Sequence, residues 1–229
     1  MLKREWPIIL GLICVVKMGR AICERLIETG NELIVWNRSL EKIADLKGVT
    51  IATTPGEVAS SSEIIISVLA NDNATQSAYY DDGGLTTVSL NGKLIIEICT
   101  SSPERAVELE KSVMEKGGQF IESPVGGTVK PARDGTLLVL VAGKKLAFER
   151  AKPILEQMAR RIEYLGETGA AAAMKLAINL PLMVYWGALG EAVAMATSKD
   201  ISAEQAMSIL VDSSGAIGAA KVRCQPIVE

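Results

Sequence analysis

The sequence predicts an α/β fold, a doubly wound sheet followed by an all-helical segment. Three observations carry this. Short apolar runs alternate with segments of helical period as far as about residue 165, the pattern of βαβ units. Helix-start signals recur between them, as in Thr54-Pro55 and Ser102-Pro103. Beyond residues 166–169 the apolar runs give way to one long apolar stretch, 169–190, and then to a further helical pattern.

In chain order, residues 7–14 read as the first strand. Residues 18–29 form a helix with Ile22, Leu26 and Ile27 on one face and Gly30 as its C-terminal cap. Residues 32–36 are a strand, 40–46 a helix and 49–52 a third strand. Thr54, Pro55 and Glu57 then stand at N-cap, N1 and N3 of a helix, a capping box with proline where its missing N–H costs nothing. Strands follow at 64–69 and 93–98, and Ser102-Pro103 opens a helix that runs to about Lys116. Residues 120–122 and 136–142 are strands, 145–158 a helix and 161–165 the last strand of an otherwise parallel sheet. The domains are accordingly expected at 1–165, a Rossmann-type nucleotide domain, and 166–229, a helical segment that reads as unfinished. The helix from Gly169 is expected to be broken or bent near Pro181, and the next to be capped by Ser202 with Gln205 three residues on.

Composition narrows the function. The 229 residues are 48% hydrophobic and 22% charged with net charge −3, which leaves no electrostatic footprint for nucleic acid. Cys14, Cys23, Cys99 and Cys224 show no metal-ligand or CxxC spacing, so no metal site is expected and a reducing, cytoplasmic setting fits. No histidine is present, so triads, HExxH zinc sites and a histidine base are excluded, and proton transfer falls to Lys, Tyr, Asp, Glu or Cys. Lys3 and Arg4 before an apolar run imitate a signal peptide, but no small-residue cleavage site precedes Lys17, Arg20 and Glu24. The 169–190 stretch has membrane-spanning length, yet it carries Lys175 and Pro181. A mid-membrane lysine costs about 2.5–3.5 kcal/mol, so the expectation is a helix buried on nearly every side, with no membrane partner.

A dinucleotide loop needs glycines where the backbone approaches a pyrophosphate. Here only Gly19 stands in a GxGxxG position, and Cys14 and Val16 occupy the other two. At the end of the second strand an acidic residue would grip a ribose 2′-hydroxyl, whereas an arginine accommodates a 2′-phosphate. The sequence reads Asn37-Arg38-Ser39, which favours NADP over NAD.

Several blocks occur in a recognisable order: Lys17-Met18-Gly19-Arg20-Ala21, Val35-Trp36-Asn37-Arg38-Ser39, Glu122-Ser-Pro-Val-Gly-Gly-Thr with Asp134-Gly-Thr-Leu, and 169–179 with Lys175 inside. Together they resemble the β-hydroxyacid dehydrogenase family, which includes 3-hydroxyisobutyrate dehydrogenase and tartronate semialdehyde reductase. The resemblance implies cofactor contacts from Val15, Val16, Met18, Gly19, Asn37, Arg38, Ser39, Leu69, Ala70 and Thr100. It implies a substrate carboxylate held by Gly126, Gly127 and Thr128, with Gly126 in the place of the family's usual serine. Lys175 would pass the proton to or from the substrate hydroxyl, and Asn179, one helical turn later, would orient it. Burial of the lysine amid apolar neighbours suits that work by disfavouring its charged form. Ala171 stands where a second glycine is usual. The implied activity is NADP-dependent interconversion of a small β-hydroxy acid and its semialdehyde. The rival is a non-catalytic binding or assembly protein with weakened cofactor binding, and a third reading replaces the carbonyl acceptor with an imine. The apolar helix predicts a homodimer or homotetramer.

Overall fold

The computed structural model describes residues 9–13 and 17–220. The chain divides into two compact units, Met1–Leu176 and Ala177–Glu229, and the division falls inside the long helix.

The first unit is built on strands β1 (Ile9–Ile13), β2 (Glu32–Trp36), β3 (Val49–Ile51), β4 (Ile64–Ser67), β5 (Leu94–Glu97), β6 (Gln119–Glu122), β7 (Val125–Gly126), β8 (Leu137–Gly143) and β9 (Ala159–Tyr164). Helices α1 (Met18–Glu28), α2 (Pro55–Ser61), α3 (Asp72–Tyr80), α4 (Pro103–Glu115), α5 (Val129–Arg133) and α6 (Lys145–Leu155) join them. The sheet order is β3-β2-β1-β4-β5-β6-β8-β7, with β9 beside β8. The first six strands are mutually parallel. The expectation of an otherwise parallel sheet is corrected at β8, which runs antiparallel to both β6 and β7. Only β7, the short α5 and a turn separate β6 from β8, and an antiparallel partner can be reached by so short a return.

The central strands carry near-continuous apolar runs because both faces are covered. Leu10, Leu12, Leu33, Val35, Ile64, Ile66, Leu94 and Ile96 enter one core together with Ile22 and Leu26 of α1 and Phe148 of α6. Ile34, Ile65, Ile95 and Phe120 point the other way, onto Val58, Tyr79, Leu109 and Val113 of α2, α3 and α4. The alternation along each strand is therefore between two cores, as a doubly wound sheet requires.

Local signals are realised closely. Gly30, at φ +88°, donates to Ile27 O at 2.9 Å while Asn31 N–H donates to Leu26 O at 3.1 Å, closing α1 in a Schellman arrangement. Thr54 Oγ1 accepts from Glu57 N–H at 3.1 Å. The Glu57 carboxylate reaches one residue further back than a capping box requires, to Thr53 N–H at 2.7 Å. Residues 40–46 are a correction, since only Leu40–Lys42 form a single 3₁₀ turn there. Their apolar positions, Leu40, Ile43 and Leu46, recur every three residues, which is the 3₁₀ repeat rather than the α repeat.

Helix α7 (Ala170–Thr197) continues through Pro181 without a break, and α8 (Ala203–Asp212) starts on Ser202, whose hydroxyl accepts Gln205 N–H at 3.1 Å. The expectation that α7 is buried on nearly every side is also corrected. Of its residues only Ala171, Ala172 and Leu189 are buried, while Leu180, Met183, Val184 and Met195 are more than half exposed. A helix that is apolar all round needs a covering layer on each side, and the described residues of this chain do not supply one. By length and composition α7 is also long and apolar enough to cross a membrane.

Candidate cofactor and active site

Open parallel sheets bind ligands beyond the carboxyl ends of their strands, where the strand order reverses. Here the reversal lies between β1 and β4, because the chain runs outward from β1 to β2 and β3 and then returns to β1's other side. Cys14, Val15 and Val16, between β1 and α1 in the sequence, lie outside the described residues. Met18 and Gly19 open α1, and Gly19 is buried there. Lys17, the N-cap residue before them, adopts φ 46° and ψ −101°, a conformation uncommon for a residue with a side chain.

Between the ends of β2 and β4 is a cavity of about 300 Å³. Five of the residues singled out from sequence line it: Asn37, Arg38, Ser39, Leu69 and Ala70. Asn37 is buried and donates from Nδ2 to Ser39 O at 2.8 Å, which holds the loop around Arg38. Lys42 also lines the cavity and was not anticipated. Its signal was the Arg38-to-Lys42 spacing, since the 3₁₀ turn at Leu40–Lys42 returns the chain toward Arg38. Neither cation has a carboxylate within ion-pair distance among the described residues. Two cations with amide and hydroxyl groups around them suit a phosphate.

The remaining candidates lie outside this cavity. Thr100 is exposed beyond the carboxyl end of β5. Gly126, Gly127 and Thr128 follow β6. Gly127 has φ +136°, and a Cβ there would stand 2.8 Å from Leu137 Cδ2 and 3.1 Å from Pro131 Cβ, so the position demands glycine. Gly126 makes no such demand, its nearest neighbour being Leu138 Cβ at 3.4 Å. Thr128 precedes α5 without a side-chain capping bond. Lys175 is half-buried on the second turn of α7, and desolvation lowers its pKa from the usual lysine value. Asn179 follows at the fourth position along the same helix.

One residue of the 122–128 block was given no role from the sequence. Glu122, the buried last residue of β6, accepts N–H bonds from Gly169 at 2.7 Å and Ala171 at 2.9 Å on Oε1, and from Ala172 at 3.2 Å on Oε2. Burial raises its pKa against the pull of those three bonds. With partners 47–50 residues away, it carries no local signal.

Residues 9–166 match the family model described as the NAD binding domain of 6-phosphogluconate dehydrogenase. Glyoxylate/succinic semialdehyde reductase 1 of Arabidopsis thaliana is 33% identical over 195 residues, covering 84% of this chain and 68% of the relative. Cytokine-like nuclear factor N-PAC of Anopheles gambiae is 27% identical over 202 residues, covering 87% of this chain but 36% of its own length. Among solved structures, Psf3 in complex with NADP+ and 2-OPP matches with a TM-score of 0.82 at 27% identity, over 93% of this chain and 76% of that one. The fold and the family model thus define an NAD(P)-type dinucleotide-binding domain. The chain belongs to the β-hydroxyacid dehydrogenase family, whose members are NAD(P)-dependent dehydrogenases and reductases acting on CH–OH groups.

Proposed function

We propose that this protein is an NADP-dependent oxidoreductase that interconverts a small β-hydroxy acid and its semialdehyde. The observation that carries the reading is the cavity between β2 and β4, which Arg38 and Lys42 both line without a carboxylate partner among the described residues. NADP, when bound, supplies the hydride chemistry. Arg38, Lys42 and Ser39 hold its 2′-phosphate, and Leu69 and Ala70 line the adjoining wall. Val15, Val16, Met18 and Gly19 serve the pyrophosphate, and Thr100 the nicotinamide end. The Gly126–Thr128 loop anchors the substrate carboxylate by backbone N–H groups and the Thr128 hydroxyl. Lys175, its charged form disfavoured by burial, moves the proton at the substrate oxygen, with Asn179 orienting that oxygen. The semialdehyde reductase relative supports a small acid with an aldehyde group as the substrate, while the β position of the hydroxyl comes from the family resemblance. Cys23 is a buried free thiol, which supports a reducing, cytoplasmic setting. The exposed apolar residues of α7 support burial against a second copy of the chain, as a homodimer or homotetramer.

A second reading, a binding protein with weakened cofactor affinity, is favoured by the backbone of Lys17 and by Cys14 and Val16 at glycine positions. One titration separates the two. Trp36 lines the cavity, so its fluorescence reports NADPH and NADH binding directly. Charge-assisted hydrogen bonds contribute about 1.5–3 kcal/mol, so NADPH should bind about 10- to 100-fold tighter than NADH, and the preference should vanish in Arg38→Ala/Lys42→Ala. With NADPH and glyoxylate or succinic semialdehyde, Lys175→Ala should lose about 100-fold or more in turnover. Binding that appears only in Val16→Gly would favour the second reading, and no binding by either protein would sink the first.

A further inference from the structure

The buried Glu122 carboxylate has no part in the chemistry above, yet it is placed to control it. An α-helix begins with four N–H groups that have no partner inside the helix. In α7 the complete account can be written. Ala170 N–H donates to Glu167 O at 3.2 Å, and Gly169, Ala171 and Ala172 donate to Glu122, before Ala173 makes the first intrahelical bond to Gly169 O at 3.0 Å. The helix has no Ser, Thr, Asn or Asp at its cap, because Gly169 occupies that place with φ +103°. One side chain from a distant strand therefore caps three of the four N–H groups of the first turn, with its negative charge at the positive end of a 28-residue helix. Glu122 also lies on the same short segment as the substrate loop, four residues before Gly126, while Lys175 lies one helical turn after Ala171. The strand end is thus tied by covalent chain to the loop and by three hydrogen bonds to the helix.

We infer that Glu122 is a positioning residue, which locks the first turn of α7 to the end of β6 and thereby sets Lys175 against the Gly126–Thr128 loop. The inference rests on the proposed role of Lys175, but the clamp itself can be read without turnover. Glu122→Gln keeps the shape and removes the charge; its single carbonyl oxygen cannot accept all three bonds, and its NH₂ faces N–H groups. Glu122→Asp keeps the anion on a shorter arm.

Three measurements test this on the full chain. Amide exchange over 167–176 should speed up at least 10-fold in Glu122→Gln and return toward wild type in Glu122→Asp. The kcat with NADPH and a semialdehyde should fall at least 10-fold in Glu122→Gln, with KM and NADPH affinity within about twofold, and Glu122→Asp should recover part of it. The Lys175 amine, followed by NMR after reductive ¹³C-methylation, should titrate closer to an ordinary lysine in Glu122→Gln. Unchanged exchange over 167–176 overturns the inference whatever happens to kcat. So does a loss of NADPH affinity in step with kcat, which would mean general damage to the domain. Should wild type turn over no semialdehyde, the proposed function fails while exchange and the Lys175 titration still decide the clamp. If Glu122→Gln does not fold, Glu122→Asp decides by the same exchange reading: partial protection supports the clamp, and full wild-type protection despite the shorter arm overturns it.

Discussion

Glu97 ends β5 with its carboxyl wholly inside the protein, accepting from Tyr79 Oη at 2.6 Å and from Cys99 N–H at 3.1 Å. Burial pushes its pKa up to about 7 from 4.5, against the opposing hydrogen bonds and the charge of Arg105. The folded protein therefore holds a proton here that the unfolded chain releases between about pH 4.5 and 7. This group's contribution to stability is full below pH 4.5, falls as pH rises through that window and is level above it. A shift of this size corresponds to about 3 kcal/mol. Denaturant unfolding at pH 5 and pH 8 should show wild type losing about 2–3 kcal/mol more than Glu97→Gln over that interval. Equal losses in the two proteins would refute it. At this scale the cavity-lining residues Asn37, Ser39, Leu69 and Ala70 were reached through the family resemblance, and Arg38 also through its place at the end of the second strand. Glu97 and Glu122 were not, because what makes them notable is a partner far away in sequence.

Elements were legible in proportion to how local their causes are. The caps at Thr54, Ser102 and Ser202 involve a side chain and an N–H three residues on, and all three form as expected. Helix α3, capped by Asn71 Oδ1 on Ala74 N–H, and the two-residue β7 were not foreseen, since neither carries a strong apolar period. Close packing between elements was equally hidden. A Cβ on Gly11 would stand 2.5 Å from Val58 Cγ1 and 2.6 Å from Ser62 Oγ, so β1 lies against α2 only because this residue has no side chain. Gly11→Ala should cost about 1–3 kcal/mol by overpacking. Gly126→Ala, where the backbone and the space both accept a methyl group, should stay within about 0.5 kcal/mol. Thermal and denaturant unfolding of the two variants checks the contrast, and equal effects would contradict the packing described.

At the scale of the whole molecule the open matter is what covers α7. Leu180, Met183, Val184 and Met195 expose apolar side chains on a helix with few charges. In water such a patch favours burial against another molecule, and a symmetric second copy would satisfy both patches at once. Light scattering coupled to size exclusion should give a dimer or tetramer for wild type. Leu180→Glu/Val184→Glu should shift it to monomer, since two buried carboxylates without partners are not tolerated at an apolar interface. A wild-type monomer without detergent would exclude this arrangement, and a requirement for detergent would point to lipid instead.

The sequence by itself determined the α/β class, most strand and helix positions, the caps, and where Arg38 and Lys175 fall, at the end of β2 and on α7. These rest on periodicity, on contacts within four residues or on family order. Only the tertiary structure decided that β8 turns antiparallel, that Lys42 joins Arg38 in one cavity, that Glu122 caps α7 and that the described residues leave α7 largely uncovered. Each of these depends on which distant segments the fold brings together, and a hydrogen bond or buried face between such segments leaves no periodic trace along the chain.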